Sequence, residues 1–517
     1  MRDFFASTVV AVLCCIFPQL ILAIPPPPHS LADPNYDNGW NELSDLPAGR
    51  AVGNPIPLTG DQKLLIVLVD FPDREGLFTG EAWHEAFFGS RQFADYFREV
   101  SYDQLRYTGT VVGIHDGSPV ENSPEVAYIR LPHDITYYAD GNRGFSIGNF
   151  PQNNMGVADH AAQALDDAGF DFGPYADEND MVQNFLVVYA GIATVYTGNV
   201  DESLEATAYR ISYSKQVPFV SKDGYIIDNY TFCPEQRFSL TFGGLESNEI
   251  AYQGICVHEH GHALSMPDLY DYSFTTTGVG EFDLMGYGTY GGDETGRNPF
   301  HLGAFSKMFF GWTEPAVYGE GTHEVTLQPA ETHADMIMLY PGGDEDATEY
   351  YLLENRQLIG FDEEWDMLPG LCAGLVIWHI DGGQVSNLGR FFRINSQGAS
   401  DPQNPGISVV EADGGSDLVS SPLNFGDCED IWQVGETWAN DLLFDGSDTH
   451  LSVKVVESTA DNSLVLELVV GEDTDDTAGS ADDSAPEAEE SCNFICGIIG
   501  AVTSVFDLLF GWVFELF

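Results

Sequence analysis

Residues 257–262 read V-H-E-H-G-H and place two histidines and a glutamate where they could bind and use a metal ion. On an α-helix His258 and His262 are one turn apart, so their imidazole rings share a face while Glu259 projects beside them. A zinc ion held in this way activates a water molecule, and a glutamate next to the first histidine can accept the proton of that water. The spacing therefore predicts a site of metal-assisted hydrolysis.

A hydrolytic zinc site needs a third protein ligand and keeps a fourth position open for water. Pro267 breaks the helical pattern, and Asp268 follows it, ten residues after His258. The predicted metal ligands are therefore His258, His262 and Asp268. A pattern this short also occurs by chance on helices whose histidines are simply solvated, so a second motif has to decide between the two interpretations.

Such a motif lies in residues 280–288, the methionine turn, which read G-E-F-D-L-M-G-Y-G. Glycines flank Met285 in what we expect to be a tight turn, and Tyr287 follows two residues later. This segment resembles the Met-turn of metzincins. The resemblance implies that Met285 forms an apolar floor under the metal and that Tyr287 can approach it. Together the two motifs indicate a zinc protease.

The helix and the methionine turn, with several further segments, resemble the immune inhibitor A family of secreted metallopeptidases. The likeness covers roughly residues 60–470. The further segments read L-L-I-V-L-V-D-F-P (64–72), N-P-F-H-L-G-A-F-S-K (298–307), Y-L-L-E-N-R-Q (351–357), G-L-V-I-W-H-I-D (374–381) and V-V-E-A-D-G (409–414).

The resemblance implies a secreted zinc endopeptidase that hydrolyses internal peptide bonds of proteins or peptides. Glu259 would be the general base, and Tyr287 would donate a hydrogen bond to the developing oxyanion. His260 points away from His258 on a helix. We therefore expect it either to support the site without binding the metal or to be exposed to solvent. The alternative function is a secreted or surface binding or adhesion protein on an inactive protease fold, which would predict a damaged base or ligand.

Ser265 is the main departure from the family, which has glycine at this position. Glycine tolerates the left-handed conformation that ends the helix, whereas serine adopts it at a cost. The delivery of Asp268 to the metal is therefore the step that this substitution puts in question. Asp271 is the nearest alternative carboxylate.

The charge of the chain restricts its partners. The 517 residues include 81 acidic and 19 basic ones, a net charge of −62. This charge argues against nucleic acid or an anionic membrane surface as a partner. Adaptation to a saline habitat or binding of structural calcium would each explain the large negative charge. A generally acidic secreted protein is an equally good explanation.

The pattern of apolar residues predicts an α/β domain followed by a β-rich, sandwich-like domain, and the resemblance implies that the first is a metzincin-like catalytic domain. A continuous aliphatic run at 63–70 indicates a strand buried on both faces, and residues 81–100 have helical spacing. After Pro315 the chain changes to short strands separated by turns. The predicted segments are a signal peptide (1–23), a leader or short propeptide (24–60), the catalytic domain (61–316), the β-rich domain (317–470), an acidic disordered linker (471–490) and an apolar amphipathic tail (491–517).

Six cysteines follow the predicted signal peptide, an even number that suits disulfides in an oxidising compartment. We expect Cys233 to pair with Cys256, because both flank the approach to the zinc helix, and Cys372 to pair with Cys428. Buried free thiols are the alternative. The signal peptide predicts secretion, and the tail predicts contact with a membrane surface or with a second copy of the chain.

Overall fold

The computed structural model describes residues 56–193, 201–241, 244–271, 276–292, 296–365, 371–382, 405–439 and 442–471. The predicted signal peptide, nearly all of the leader, the acidic linker beyond Gly471 and the apolar tail lie outside these ranges. Within the described residues, no helix is both long enough and apolar enough to cross a membrane.

The N-terminal half of the described chain, up to α7, combines helices and strands. Its helices are α1 (Gly80–Phe88), α2 (Phe93–Val100), α3 (Ile135–Ala139), α4 (Asn154–Asp167), α5 (Ser212–Lys215), α6 (Gly254–Ala263) and α7 (Ala304–Phe309). Its strands are β1 (Gly60–Asp70), β2 (Leu105–His115), β3 (Ser118–Glu121), β4 (Ile129–Arg130), β5 (Phe185–Tyr189), β6 (Thr207–Arg210), β7 (Phe219–Val220), β8 (Ile226–Ile227), β9 (Asn229–Pro234), β10 (Gln236–Thr241) and β11 (Gly244–Ile250).

The C-terminal half consists mainly of strands, as its sequence predicts. They are β12 (Ala316–Val317), β13 (Gly321–Leu327), β14 (Ile337–Leu339), β15 (Glu349–Arg356), β16 (Gly374–Asp381), β17 (Ile407–Val409), β18 (Thr437–Ala439), β19 (Leu451–Ser458) and β20 (Leu464–Val470).

The predicted buried strand is β1, which lies inside a seven-stranded sheet ordered β3-β2-β1-β5-β9-β6, with β4 also paired to β1. Its neighbours β2 and β5 run parallel to it. Successive side chains of a strand point to opposite faces, so an unbroken apolar run needs a core on each side. One core receives Leu64, Ile66 and Leu68, and the other receives Leu65, Val67 and Val69.

The helical segment predicted at residues 81–100 is two helices rather than one. The backbone leaves the helical path after α1, and Arg91 has a positive φ of 58° before α2 begins. Both helices bury their aromatic side chains in the same core. The helical periodicity therefore predicts helical structure here correctly, but it does not predict the break between α1 and α2.

Two sheets of the C-terminal half enclose a common core, the arrangement of a β-sandwich. One sheet is ordered β12-β14-β15-β16-β17 and the other β13-β20-β19-β18. Tyr351 and Leu353 of β15 point into the core between them. Leu352, on the opposite face of β15, joins instead the core that also contains α1, α2 and α6. The division of the chain after residue 316 remains a prediction, because the two halves share this core.

A buried group of charged side chains also connects the halves. The guanidinium of Arg356, at the end of β15, lies 2.5 Å from Asp362 and donates to the carbonyl of Phe282 at 2.9 Å. Lys307 of α7 lies 3.8 Å from the Glu354 carboxylate. The side chains of these four charged residues are fully buried. Phe282 belongs to the methionine turn, so the C-terminal half holds that turn in place.

Both predicted disulfides are confirmed. Cys233 of β9 pairs with Cys256 of α6, with their Cα atoms 5.5 Å apart. Cys372 pairs with Cys428, with a Cα separation of 4.9 Å. The first bridge fastens the helix that carries the candidate ligands to the central sheet. The alternative of buried free thiols is wrong for these four residues.

Candidate metal centre

The helix α6 packs closely against its surroundings at two glycines, and the backbone contact at Gly254 leaves no room for a side chain. A Cβ atom on Gly254 would lie 2.1 Å from the carbonyl oxygen of Thr289. A Cβ atom on Gly261 would lie 2.8 Å from the sulfur of Met285. The methionine turn therefore lies directly against the face of α6 that carries Gly261, as an apolar floor would.

The structure brings the three predicted ligands together. The Nε2 atoms of His258 and His262 each lie 3.1 Å from the same oxygen, Oδ1 of Asp268. Tetrahedral zinc with bonds of about 2.0–2.1 Å requires its ligand atoms to be roughly 3.3 Å apart. Two imidazole nitrogens and a carboxylate oxygen are also a donor set that zinc prefers. The three residues thus fit a zinc ion in both spacing and chemistry.

Backbone carbonyls orient both imidazoles. The Nδ1–H of His258 donates to the carbonyl of Leu284 at 3.1 Å, and the Nδ1–H of His262 donates to the carbonyl of Met266 at 2.7 Å. In this tautomer each Nε2 keeps its lone pair for a metal. Leu284 belongs to the methionine turn, so that turn fixes one ligand as well as lying under the helix.

Glu259 is fully buried beside the ligands. Among the described residues, neither oxygen of its carboxylate has a hydrogen-bond partner. Burial raises the pKa of this carboxyl, and the adjacent His262 and His258 oppose the rise. A buried carboxylate whose oxygens are not engaged is suited to accept a proton from a water molecule at the site.

The charges of the site require a cation. Burial alone would lower the pKa of His262, but Asp268 beside it raises that pKa to about 9. Burial also opposes ionisation of Asp268, yet His262 and His258 hold its pKa well below the usual range. Two buried carboxylates therefore need positive charge, which a protonated imidazole or a divalent metal can supply. Binding of a metal would release the imidazole proton.

Ser265 does adopt the left-handed conformation, with φ of 91°. Its N–H donates to the carbonyl of His262 at 2.8 Å, and the N–H of Met266 donates to that of Gly261 at 2.9 Å. This is the hydrogen-bond pattern of a Schellman motif. The turn after α6 thus forms with serine in place of glycine, and Asp268 reaches both histidines.

We expect Ser265→Gly to stabilise the protein by roughly 0.5–1 kcal/mol. The left-handed conformation costs a non-glycine residue about 1–2 kcal/mol, and the greater freedom of glycine in the unfolded chain offsets part of that gain. Urea denaturation of the metal-free protein measures the change. The matched control, Ser265→Ala, keeps the Cβ atom and should bring no gain. A loss of stability in Ser265→Gly would contradict this explanation of the turn.

Tyr287, the predicted oxyanion donor, is buried near the site. Among the ring pairs observed, however, the tyrosine that lies beside a ligand imidazole is Tyr270. The ring of Tyr270 lies 6.4 Å from that of His258 and nearly parallel to it, and Tyr287 lies 6.3 Å beyond Tyr270. The pKa of Tyr270 is raised by burial and then by the charges of Asp268 and Glu259. Sequence reasoning missed Tyr270, although it follows Asp268 by two residues.

His260 is buried, so the solvent-exposed alternative is wrong. Its Nδ1 lies 3.0 Å from the hydroxyl of Thr231 on β9, and its Nε2 lies 2.8 Å from the hydroxyl of Tyr107 on β2. Burial lowers its pKa to about 3, so the ring is neutral. The face of α6 opposite the ligands packs on the sheet, and the hydrogen bonds of His260 to Thr231 and Tyr107 hold the helix there.

Two other acidic positions bear on metal binding. Asp271 is fully buried, and its Oδ2 accepts hydrogen bonds from the N–H and hydroxyl of Thr276. Carboxylate oxygens of Glu411, Asp413 and Asp430 lie within 4.8 Å of one another in the C-terminal half. Acidic side chains often approach one another without a bound ion, so structural calcium stays a prediction.

Comparison with known proteins agrees with this geometry. Residues 228–314 match the family described as immune inhibitor A peptidase M6, catalytic domain. The matched range contains α6, all three candidate ligands and the methionine turn. The Pre-pro-metalloprotease PrtV of Vibrio cholerae serotype O1, in strains M66-2 and El Tor Inaba N16961, is 21% identical over 284 residues.

That alignment covers 48% of this chain and 29% of PrtV, so the chain spans under a third of the length of these relatives. The predicted resemblance is nevertheless confirmed. Residues 228–314 are similar to the catalytic domain of the immune inhibitor A peptidases, family M6.

Proposed function

We propose that this protein is a secreted, zinc-dependent endopeptidase with a metzincin-like site. The observation that carries the proposal is the approach of His258 and His262 to one oxygen of Asp268, with buried Glu259 beside them. The metallopeptidase resemblance supports the same reaction class and implies protein or peptide substrates. The intact base and ligands argue against an inactive adhesion protein.

In this proposal His258, His262 and Asp268 hold the zinc. A zinc ion bound there would supply Lewis-acid chemistry, which polarises a carbonyl and makes a water molecule more acidic. Glu259 accepts the proton of the attacking water and transfers it to the leaving amine. Tyr287 donates a hydrogen bond to the oxyanion, and its phenol is protonated because burial raises its pKa.

Secretion belongs to the proposal as well. The apolar run in residues 1–23 and the two disulfides both suit an oxidising, extracytoplasmic compartment. Attachment to a membrane surface, or self-association, through residues 491–517 is a prediction from sequence alone, because the tail lies outside the described residues.

The proposal is tested by hydrolysis of casein by the purified protein before and after metal removal. We expect a strong chelator to abolish hydrolysis and stoichiometric zinc to restore it, because Glu259 alone cannot ionise water at neutral pH. Calcium added instead of zinc should not restore the activity. Hydrolysis that continued after metal analysis had shown the protein to be metal-free would contradict the proposal.

A further inference from the structure

A small aromatic cluster adjoins the candidate metal centre and is separate from the main cores. Its buried members are Tyr270 and Tyr287, and partly buried Tyr290 and Phe425 pack against them. Tyr270 stands beside the ring of the ligand His258. The cluster therefore extends from a metal ligand to side chains that still reach solvent.

Phe425 is the member that comes from the C-terminal half. Its ring lies 4.6 Å from that of Tyr287 in an edge-to-face arrangement, the closest ring contact of the cluster. Tyr290 lies 6.4 Å from Tyr287. Phe425 and Tyr290 thus both adjoin Tyr287 and form the partly exposed rim of the cluster.

The backbone around Phe425 is held directly on the methionine turn. The N–H of Glu281 donates to the carbonyl of Phe425 at 2.7 Å, and the hydroxyl of Thr277 donates to the carbonyl of Asn424 at 2.5 Å. A Cβ atom on Gly280 would lie 2.2 Å from the Phe425 carbonyl oxygen. Only glycine at position 280 permits this approach of the two chain segments.

The segment that carries Phe425 is also anchored at both ends. The Glu411 carboxylate accepts the N–H groups of Asp417 at 2.6 Å and Leu418 at 3.0 Å. Beyond Phe425, Cys428 is bridged to Cys372. A loop tied in this way presents Phe425 in a fixed position, which is what a binding surface requires.

The chemistry of the cluster suits an apolar ligand. The partly exposed rings of Tyr290 and Phe425, packed on buried Tyr287, present an apolar surface with few rotatable bonds, which suits a large aliphatic or aromatic side chain. A charged side chain placed against these rings would lose part of its hydration.

We propose that Phe425 is a specificity-determining residue, which together with Tyr287 and Tyr290 receives a large apolar side chain of the substrate beside the scissile bond. This inference rests on the proposed endopeptidase function. It means that the C-terminal half contributes to the substrate site as well as holding the methionine turn.

The test uses the full-length zinc-loaded protein and quenched fluorescent peptides. Cleavage sites in casein are first mapped by mass spectrometry, and peptides are then made that differ only in Phe, Leu, Ala or Asp at each position beside the cleaved bond. We expect the wild-type protein to favour Phe or Leu over Ala by at least about tenfold in kcat/KM at one position, the usual gain from filling an apolar pocket. Phe425→Ala should reduce this ratio to under about threefold, and Phe425→Leu should keep an intermediate ratio.

Leu423→Ala is the matched control, because Leu423 lies in the same segment but is 60% exposed. This variant should keep the wild-type ratio. If Phe425→Ala does not fold, Phe425→Leu and Phe425→Tyr decide, since both retain an apolar body at this position. Ratios unchanged in every Phe425 variant, or equal cleavage of all peptides by the wild type, would overturn the inference while leaving the endopeptidase function intact. Absence of any cleavage by the zinc-loaded wild type would overturn both.

Discussion

Glu259→Gln should leave the metal bound and remove nearly all peptide hydrolysis. Glutamine has the same shape as glutamate but cannot accept the proton of the attacking water, and Glu259 is not one of the three candidate ligands. Removal of a general base costs about 10²–10⁴-fold in rate. Steady-state hydrolysis of casein or a quenched peptide, combined with zinc analysis of the same sample, measures both effects.

The matched control is Glu467→Gln, which changes an exposed glutamate on β20, far from the site in sequence and on another sheet. It should keep wild-type activity and zinc content. If Glu259→Gln retained activity within about tenfold of the wild type, another group would have to be the base. Loss of zinc from Glu259→Gln would instead make Glu259 a ligand and invalidate the assigned roles.

Asp268→Ala should weaken zinc binding severely, and activity should fall with it. Asp268 supplies the oxygen that both imidazoles approach, so its removal leaves two nitrogens, which hold zinc loosely. Loss of a residue that only hydrogen-bonds to a metal ligand can by itself lower metal affinity about 10–100-fold. We therefore expect a loss of more than about 100-fold, measured by competition with a chromogenic chelator.

Asp271→Asn is the control for this variant. Asp271 is also fully buried nearby, but its carboxylate is engaged with Thr276. Asp271→Asn should keep zinc affinity within a few-fold of the wild type. If Asp268→Ala bound zinc normally and Asp271→Asn did not, the third ligand would be Asp271 and the turn after α6 would differ from the one described.

The features that the sequence predicted correctly depend on local periodicity. One helical turn separates His258 from His262, and a short aliphatic run bounded by Gly60 and Pro72 favours a strand with a core on each side, as β1 is. The position of Asp268 was less secure, because it depends on the turn at Ser265. That turn forms with the expected left-handed backbone.

The features that were missed depend on contacts between distant parts of the chain. His260 was correctly placed opposite the ligand face of α6, but a helical wheel does not show that this face packs on a sheet. Phe425 reaches Tyr287 through a loop of the other half, and no periodic pattern predicts such an approach. The buried Arg356 likewise has a role only once the methionine turn lies beside β15.

The shared core also shows why a boundary read from composition differs from a boundary in space. The chain changes from a mixture of helices and strands to mainly short strands near Pro315, as predicted. Yet alternate side chains of β15 lie in two different cores, one of which also contains side chains of α1, α2 and α6. Residues 317–470 are thus predicted as a domain by their sequence, although one face of β15 packs in the core that also contains α6.

We infer that His258, His262 and Asp268 hold a zinc ion, and a crystal structure of the zinc-loaded protein at the zinc absorption edge tests this inference most directly. We expect an anomalous peak about 2.0–2.2 Å from Nε2 of each histidine and from a carboxylate oxygen of Asp268. A peak at another site, such as the group of Glu411, Asp413 and Asp430, with none between the two histidines, would contradict it.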